Sequence, residues 1–400
     1  RDTDMASPIQ QISAVTAMNI RSIPSRLGTS LVIVIGIAGV VGVMVALLSM
    51  AKGFEMTLAT TGRPDRAIVM RGGSNDELSS VLMRDQAQVV MDAPGVAKGA
   101  DGKPLAIGEL YMITDVAKRG ATSPNNVVVR GTTPRVLELR PEAKIVEGRM
   151  FTPGLREIVV GRTAEKQFAG LTIGSKVDIR DGPWTVVGVF DSKGDVHESE
   201  LWVDVDALMA ASRRLAYNTV TAQLTSAAAY KTFKDALTSD PRVTVQVQRE
   251  PEYYASRAET LNQLITVLGY SVTIIMAIGA LFGALNTMYA AVATRSVEIA
   301  TLRAIGFGSV PVVISVILEA LVLAAAGGAL GGLVAYVFFN GYTVSALNMQ
   351  TFSQVAFQFR VTPGLLWQGV IWACGIGLIG GLFPSVRAAR LPIVDALRSA

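Results

Sequence analysis

Between Thr260 and Thr294 the chain runs for 35 residues without a charged side chain. As a helix this stretch would be about 52 Å long, well beyond the roughly 30 Å hydrocarbon core of a bilayer. It is expected to span a membrane and to protrude as a stalk, because its first residues (Thr260, Leu261, Asn262, Gln263) are more polar and continue a helix-like stretch from Tyr253. Three further blocks have the same character: Leu31–Met50, Val310 to about Phe339 with Glu319 as the single interruption, and Leu365–Val386. The first could be the apolar part of a signal peptide, but such parts usually hold 7–15 residues and precede a small-residue cleavage motif. Met50-Ala51-Lys52-Gly53-Phe54 is a poor cleavage site, so a true span is expected.

Four spans put both termini on one side. Arg21 and Arg26 before the first span, Arg295 and Arg303 between the second and third, and Arg387, Arg390 and Arg398 after the fourth all lie on the same face. The positive-inside rule makes that face cytoplasmic, and the segment 51–259 is then outside. The net charge of +4 comes entirely from the membrane part, with nine basic residues against five acidic ones; the segment 51–259 balances at 27 of each. A neutral middle without a basic stripe gives no reason to expect a nucleic-acid partner. One cysteine (Cys374) and one histidine (His197) leave no material for a disulfide framework, a Cys/His zinc cluster or a Cys-His dyad.

The expected fold is an α-helical membrane protein with four transmembrane helices and an α+β extracytoplasmic domain inserted between the first and second spans. Its segments are a lead-in (1–28), a first span (29–50), the outside domain with its stalk (51–259), a second span (260–293), a cytoplasmic helix (294–308), a third span (309–339), an outside loop (340–362), a fourth span (363–386) and a cytoplasmic tail (387–400). In the outside domain, strands are predicted at Ala67–Arg71, Asn126–Arg130, Lys176–Ile179, Trp184–Phe190 and Val243–Val247, all short β-branched runs bounded by Gly, Asp or Pro. Arg180-Asp181-Gly182-Pro183 reads as a hairpin-like turn. Helical patterns fall at Asp85–Met91, Arg162–Phe168, Val205–Arg214 and Ala227–Leu237.

No constellation for chemistry stands out. His197, among loop carboxylates, is expected to be solvated rather than a metal or acid–base group. Gly170–Lys176 resembles a phosphate loop at a glance, but its glycine spacing is too short and its Ser precedes the Lys, so no Walker A motif is present. Nucleotide, if it drives this protein, is bound by another polypeptide. Glycines at four-residue spacing, Gly279 and Gly283 in the second span and Gly327 and Gly331 in the third, are expected to let helices approach closely, within the bundle or across a dimer. Glu319 lies about 14 Å along the third helix, where a charge is expensive unless paired or hydrated. A neighbouring polar partner is the favoured reading, with a transported-ion or proton site as the alternative.

Four stretches resemble one family. They are AMNIRSIPSRLGTSLVIVIGI (17–37); the outside segments VEGRMF (146–151), IVVGRTAEKQFAGLTIGSKVDI (158–179), WTVVGVF (184–190) and ELWVDVDAL (200–208); RSVEIATLRAIG (295–306); and LFPSVRAARLPIVDALR (382–398). Together and in this order they are similar to the MacB/FtsX-like permeases of ABC transporters. The resemblance implies a non-enzymatic permease subunit of the bacterial inner membrane that carries no cofactor of its own. It also implies a homodimer that acts with a separate ABC ATPase, which binds ATP and magnesium. It also implies that the helix between the second and third spans docks on that ATPase, through Glu298, Ile299, Leu302 and Arg303 with Arg295 at the rim. The outside domain would grip a periplasmic adaptor and expel substrate through an outer-membrane channel, the stalk conveying the force. The tail 387–398 could contact the ATPase or anionic lipid. Lipoprotein or lipid extraction, and regulation of wall hydrolases in cell division, are the alternatives within the family.

Overall fold

The computed structural model describes residues 8–22, 26–120, 124–347 and 354–390. The chain forms two compact units. One gathers residues 1–53, 263–342 and 359–400 and is helical; the other gathers residues 54–262 and 343–358 and is α/β.

The helical unit draws on α1 (Pro8–Ser22), α2 (Leu27–Ala59), α8 (Glu250–Thr294), α9 (Ser296–Ala304), α10 (Ser309–Phe339) and α11 (Pro363–Ala389). Among the described residues α2, α8, α10 and α11 are long and apolar enough to cross a membrane. Ile37, Val41, Met44 and Val45 of α2 pack with Leu323 and Ala324 of α10, Ala373 of α11, and Met288 and Val292 of α8. Glycine makes this close packing possible. A Cβ on Gly331 would fall on the Ala38 carbonyl, one on Gly327 would stand 2.8 Å from the Val34 carbonyl, and one on Gly377 would collide with Ala324. Bilayer tails are as apolar as Leu, so helices associate by such contact rather than by hydrophobic burial. Thr362 caps α11 by accepting from the Leu365 amide at 3.4 Å, with Pro363 at the position that needs no amide donor.

For Gly279 and Gly283 the packing within the bundle is not found, and contact across a dimer is left untouched: a Cβ at either would meet nothing within 4 Å among the described residues. Within a single chain they line no helix contact. Helix α2 continues past the expected first span to Ala59, and α8 begins ten residues before the expected second span.

The α/β unit is built on strands β1 (Arg66–Arg71), β2 (Leu82–Met83), β3 (Ala106–Ala117), β4 (Pro124–Thr132), β5 (Lys144–Gly148), β6 (Glu157–Gly161), β7 (Lys176–Ile179), β8 (Gly182–Asp191), β9 (Glu200–Asp204), β10 (Ala216–Tyr217), β11 (Thr219–Gln223), β12 (Val245–Arg249), β13 (Thr343–Leu347) and β14 (Gln354–Gln358). Its helices are α3 (Arg84–Met91), α4 (Val136–Leu139), α5 (Arg162–Gln167), α6 (Val205–Ser212) and α7 (Ala229–Ser239). One mixed sheet runs in the order β12-β1-β11-β3-β4-β9-β6-β8-β5, with β7 paired to β8. The β4–β9 and β6–β8 pairs are parallel. Leu110, Met112, Ile158, Trp184, Leu201 and Leu208 form one apolar cluster, and Val69, Val90, Val220, Phe233 and Leu237 another.

The segment expected as an outside loop, 340–362, contains the antiparallel β13–β14 ribbon, which belongs to the α/β unit. There the Ala356 amide donates to Ser199 Oγ at 3.2 Å, and Phe357 meets Phe54 edge-on at 5.3 Å. The last residues of the tail, 391–400, including Arg398, lie outside the described residues.

The glycine geometry separates two outcomes. Gly331→Leu should lower the melting temperature of the detergent-solubilised chain, with an overpacking cost of about 1–3 kcal/mol. Gly279→Leu should leave it unchanged. Equal melting of the two variants would refute the close contact of α10 with α2.

Candidate functional site

Helix α8 is 45 residues long, and a buried ion pair holds the chain at each of its ends. At the start, Glu250 is its first residue and is fully buried. A carboxylate here is favoured by the positive end of the helix dipole. Arg66 of β1 meets it with Nε 2.6 Å from Oε2, the Arg63 amide donates to the same oxygen at 3.2 Å, and Arg140 Nη2 stands 3.6 Å from Oε1.

Glu250 belongs to a larger knot. Arg140, just after α4, donates to both oxygens of Glu109 at 2.9 and 3.3 Å. Arg130 of β4 grips Glu200 of β9 at 2.7 and 2.8 Å and Glu77 at 3.0 and 3.1 Å, and reaches Glu109 at 3.2 Å. The three guanidiniums are each 1% exposed. Strands β1, β3, β4 and β9 place these groups, since Arg66, Glu109, Arg130 and Glu200 all emerge from one sheet.

His197 is in this knot, which corrects the expectation of a solvated side chain; it is 1% exposed. Arg140 Nε donates to His197 Nε2 at 3.2 Å, and His197 Nδ1 stands 3.1 Å from Glu200 Oε2. Trp202 Nε1 donates to the same oxygen at 3.0 Å. A cavity of about 30 Å³, room for one or two waters, is lined by Glu77, Arg130, Glu200, Tyr253 and Tyr254. The Tyr253 and Tyr254 hydroxyls are buried with no hydrogen-bond partner among the described residues.

Burial pushes the Glu109 carboxyl up, but the charges of Arg140 and Arg130 outweigh it and hold it at about 2. Glu200 is likewise kept well below the usual carboxylate range by Arg130 and His197 against the effect of burial. Asp195 is the exception: burial raises it to about 6, although His197 and a hydrogen bond from Ser192 favour the ion. Carboxylates engaged by guanidiniums make poor proton-transfer groups, so this cluster ties strands and a helix together rather than performing a reaction.

The other end of α8 lies in the helical unit. Arg295, directly after Thr294, is 6% exposed and turned inward. Its Nη1 donates to Glu319 of α10 at 3.1 Å, its Nη2 to Asn19 of α1, and its Nε to Glu298 of α9 at 3.2 Å. Asn19 in turn donates to Ser315 of α10 at 3.2 Å. The single intramembrane charge, Glu319, is thus paired, and four elements meet on one guanidinium.

This differs from the expected rim position of Arg295, whose charge is consumed inside the chain. Ile299 is also inward, 7% exposed, lining a small cleft with Val15, Met18 and Val316. Glu298 is open, its side chain 55% exposed; Leu302 and Arg303 are half-buried, and Ile305 is 68% exposed. Reading from the sequence missed Asn19 and Ser315, ordinary polar residues on helices; the one signal is that Ser315 stands a turn before Glu319 on α10.

Four long apolar helices among the described residues, with an α/β unit inserted in sequence after the first, define the class, a multi-pass membrane protein, and the comparisons specify it. Residues 27–240 match the MacB-like periplasmic core domain and residues 270–393 the FtsX-like permease C-terminal domain. The chain therefore belongs to the MacB/FtsX-like family of ABC permeases. It is 23% identical to the ABC transporter permease YvrN of Bacillus subtilis over 96% of this chain and 97% of that one. It is 27% identical to the macrolide export ATP-binding/permease protein MacB of Nitrobacter winogradskyi over 96% of this chain, but spans only 59% of that protein. The periplasmic region of MacB from Actinobacillus actinomycetemcomitans aligns with 50% of this chain and 92% of its own, at 15% identity and a TM-score of 0.36.

Two stability measurements test the knot. Glu250→Ala leaves Arg66 and Arg140 short of a buried counter-charge and should cost about 3–5 kcal/mol in unfolding of the full chain. For Asp195 the sign runs the other way from a salt-bridged carboxylate. Its folded value of about 6 lies above its ordinary 3.8, so its contribution is full below 3.8 and is lost as pH rises through 6. Asp195→Asn should therefore stabilise the chain at pH 7.5, on the order of 2 kcal/mol, and have little effect near pH 4. A variant that melts like the wild type at both values removes the buried-charge account of Asp195.

Proposed function

We propose that this chain is the permease subunit of an ABC exporter that converts ATP hydrolysis on a separate subunit into movement of its α/β unit. The observation that carries the proposal is α8 itself, unbroken from Glu250 to Thr294, about 67 Å of helix, with a buried ion pair at each end. A helix resists axial compression and bending over this length far better than a loop. Displacement at Arg295 then appears at Glu250 instead of dissipating in between.

The α9 helix is the proposed receiver. Its exposed Glu298, its half-buried Leu302 and Arg303 and the exposed Ile305 that follows it offer a mixed surface to the ATPase, while Arg295 and Ile299 tie the helix back to α1 and α10. ATP and magnesium belong to that partner. Two copies of the permease, placed with the Arg295 side in the cytoplasm of the inner membrane and the α/β unit outside, complete the proposed assembly. An adaptor and an outer-membrane channel would carry the cargo onward, with macrolide-like compounds as one candidate class suggested by the MacB relatives.

The test is functional coupling in the co-purified complex. Glu298→Ala combined with Arg303→Ala should abolish stimulation of ATPase activity while membrane insertion stays normal. Gln263→Pro, which removes a helical hydrogen bond in mid-α8, should leave ATP hydrolysis running but stop transport. Transport that persists in the proline variant refutes force conduction along α8. Recovery of the chain with a second, non-identical permease would instead assign it to lipoprotein extraction.

A further inference from the structure

Most arginine side chains of the α/β unit are engaged. Arg84 is held by Asp206, Arg149 by Glu157, Arg156 by Asp181 and Arg242 by Asp240. Arg180, Arg213 and Arg214 differ: no ion pair, hydrogen bond or ring contact to their side chains exists among the described residues. All three line one cleft of about 250 Å³, completed by Met112, Ala211 and Ser212. The acidic groups nearest in sequence, Asp206 and Asp181, are already committed to Arg84 and Arg156.

Two of the three also sit where an arginine is a poor backbone choice. Arg180 opens the turn between β7 and β8 at φ 60°, and Arg213 caps the C-terminus of α6 at φ 52°. The left-handed region crowds the Cβ of any residue but glycine, and glycine is the usual residue at such a helix end. Placement at the negative end of the helix dipole accounts for Arg213 and Arg214. It does not account for Arg180, which reaches the same cleft from a separate hairpin. Three like charges gathered in one concave place repel, and the repulsion is relieved by an anion that accepts from them. Positions that break local rules without a structural return are those where function is expected.

We propose that this cleft binds a multivalent oxyanion, a phosphate or phosphate monoester, with Arg180, Arg213 and Arg214 as the donors. The planar guanidinium fork matches the oxygen spacing of phosphate, and three forks around one concave site can engage several of its oxygens together. The anion is either a free solute or the headgroup of a phospholipid, and the recognition chemistry is the same for both.

Calorimetric titration of the detergent-solubilised full chain with inorganic phosphate, at low ionic strength, tests the assignment. One saturable site per chain is expected, weakened by added sodium chloride and at least tenfold weaker in Arg180→Gln and in Arg214→Gln. The double variant Arg180→Gly, Arg213→Gly guards against a folding artefact. It should melt higher than the wild type, because both strained positions are relieved, and yet lose phosphate binding. Short-chain phosphatidic acid separates the sources: binding at least tenfold tighter than inorganic phosphate assigns a lipid headgroup, and any smaller gain or weaker binding assigns a free anion. Absence of saturable binding for both probes, or undiminished binding in the glycine double variant, overturns the proposal.

Discussion

Glu250 begins a 45-residue helix and is fully buried with Arg66, 2.6 Å away, as its closest cation. Removing a carboxylate from water is costly, and mutual attraction recovers that cost only where geometry and further hydrogen bonds are good. The requirement organises the α/β unit. Arg66 can reach Glu250 only if β1 is in register beside β11 and β12, and Arg140 can serve Glu109 and Glu250 together only if α4 ends where it does. Strands far apart in sequence, β1, β3, β4 and β9, are thereby fixed to the first turn of one helix.

The apolar blocks made the membrane helices legible, because 20 or more uncharged residues have few other uses, and the strand and helix pattern of the α/β unit was partly legible for the same kind of reason. Lys176–Ile179 and Trp184–Phe190 announce strands by β-branched runs, and β7 and β8 occupy those places. The longest strand, β3, escaped because Gly108 and Glu109 interrupt its apolar run. Both exceptions have reasons that exist only in three dimensions: Gly108 lies under the Tyr217 ring, and Glu109 is the carboxylate of the buried knot.

The knot was illegible for a related reason. Its members stand at 66, 77, 109, 130, 140, 197, 200 and 250, so no local window contains more than two or three of them, and each alone reads as a solvated charge. His197 followed the same logic and was misplaced on the surface. At the other end of α8, Glu319 drew attention because a charge inside a span is rare, but its partner Arg295 looked like part of a docking surface. A basic residue close to a span satisfies the positive-inside pattern whether it points to a partner, to lipid headgroups or inward.

Why ions rather than apolar side chains anchor the two ends of α8 follows from directionality. Hydrophobic contact is non-directional, so a helix end held by it alone can rotate or slide at small cost. The fork of Arg130 on Glu200 and Glu77, and the paired contacts of Arg140 on Glu109, have an orientation and a length, and a rotation of the attached element breaks them in a discrete step. Arg295 extends the argument to the helical unit, since one guanidinium joins α1, α9 and α10 to the chain leaving α8. A member that conducts force needs ends that do not slip; at Arg295 the hold is directional, through hydrogen bonds to Glu298, Glu319 and Asn19, while Glu250 is held by burial, by the charges of Arg66 and Arg140 and by the Arg63 amide. Under the proposed mechanism, stability is the lesser role of these pairs; their larger one is to turn an applied displacement into movement of the whole sheet instead of local slippage at the helix terminus.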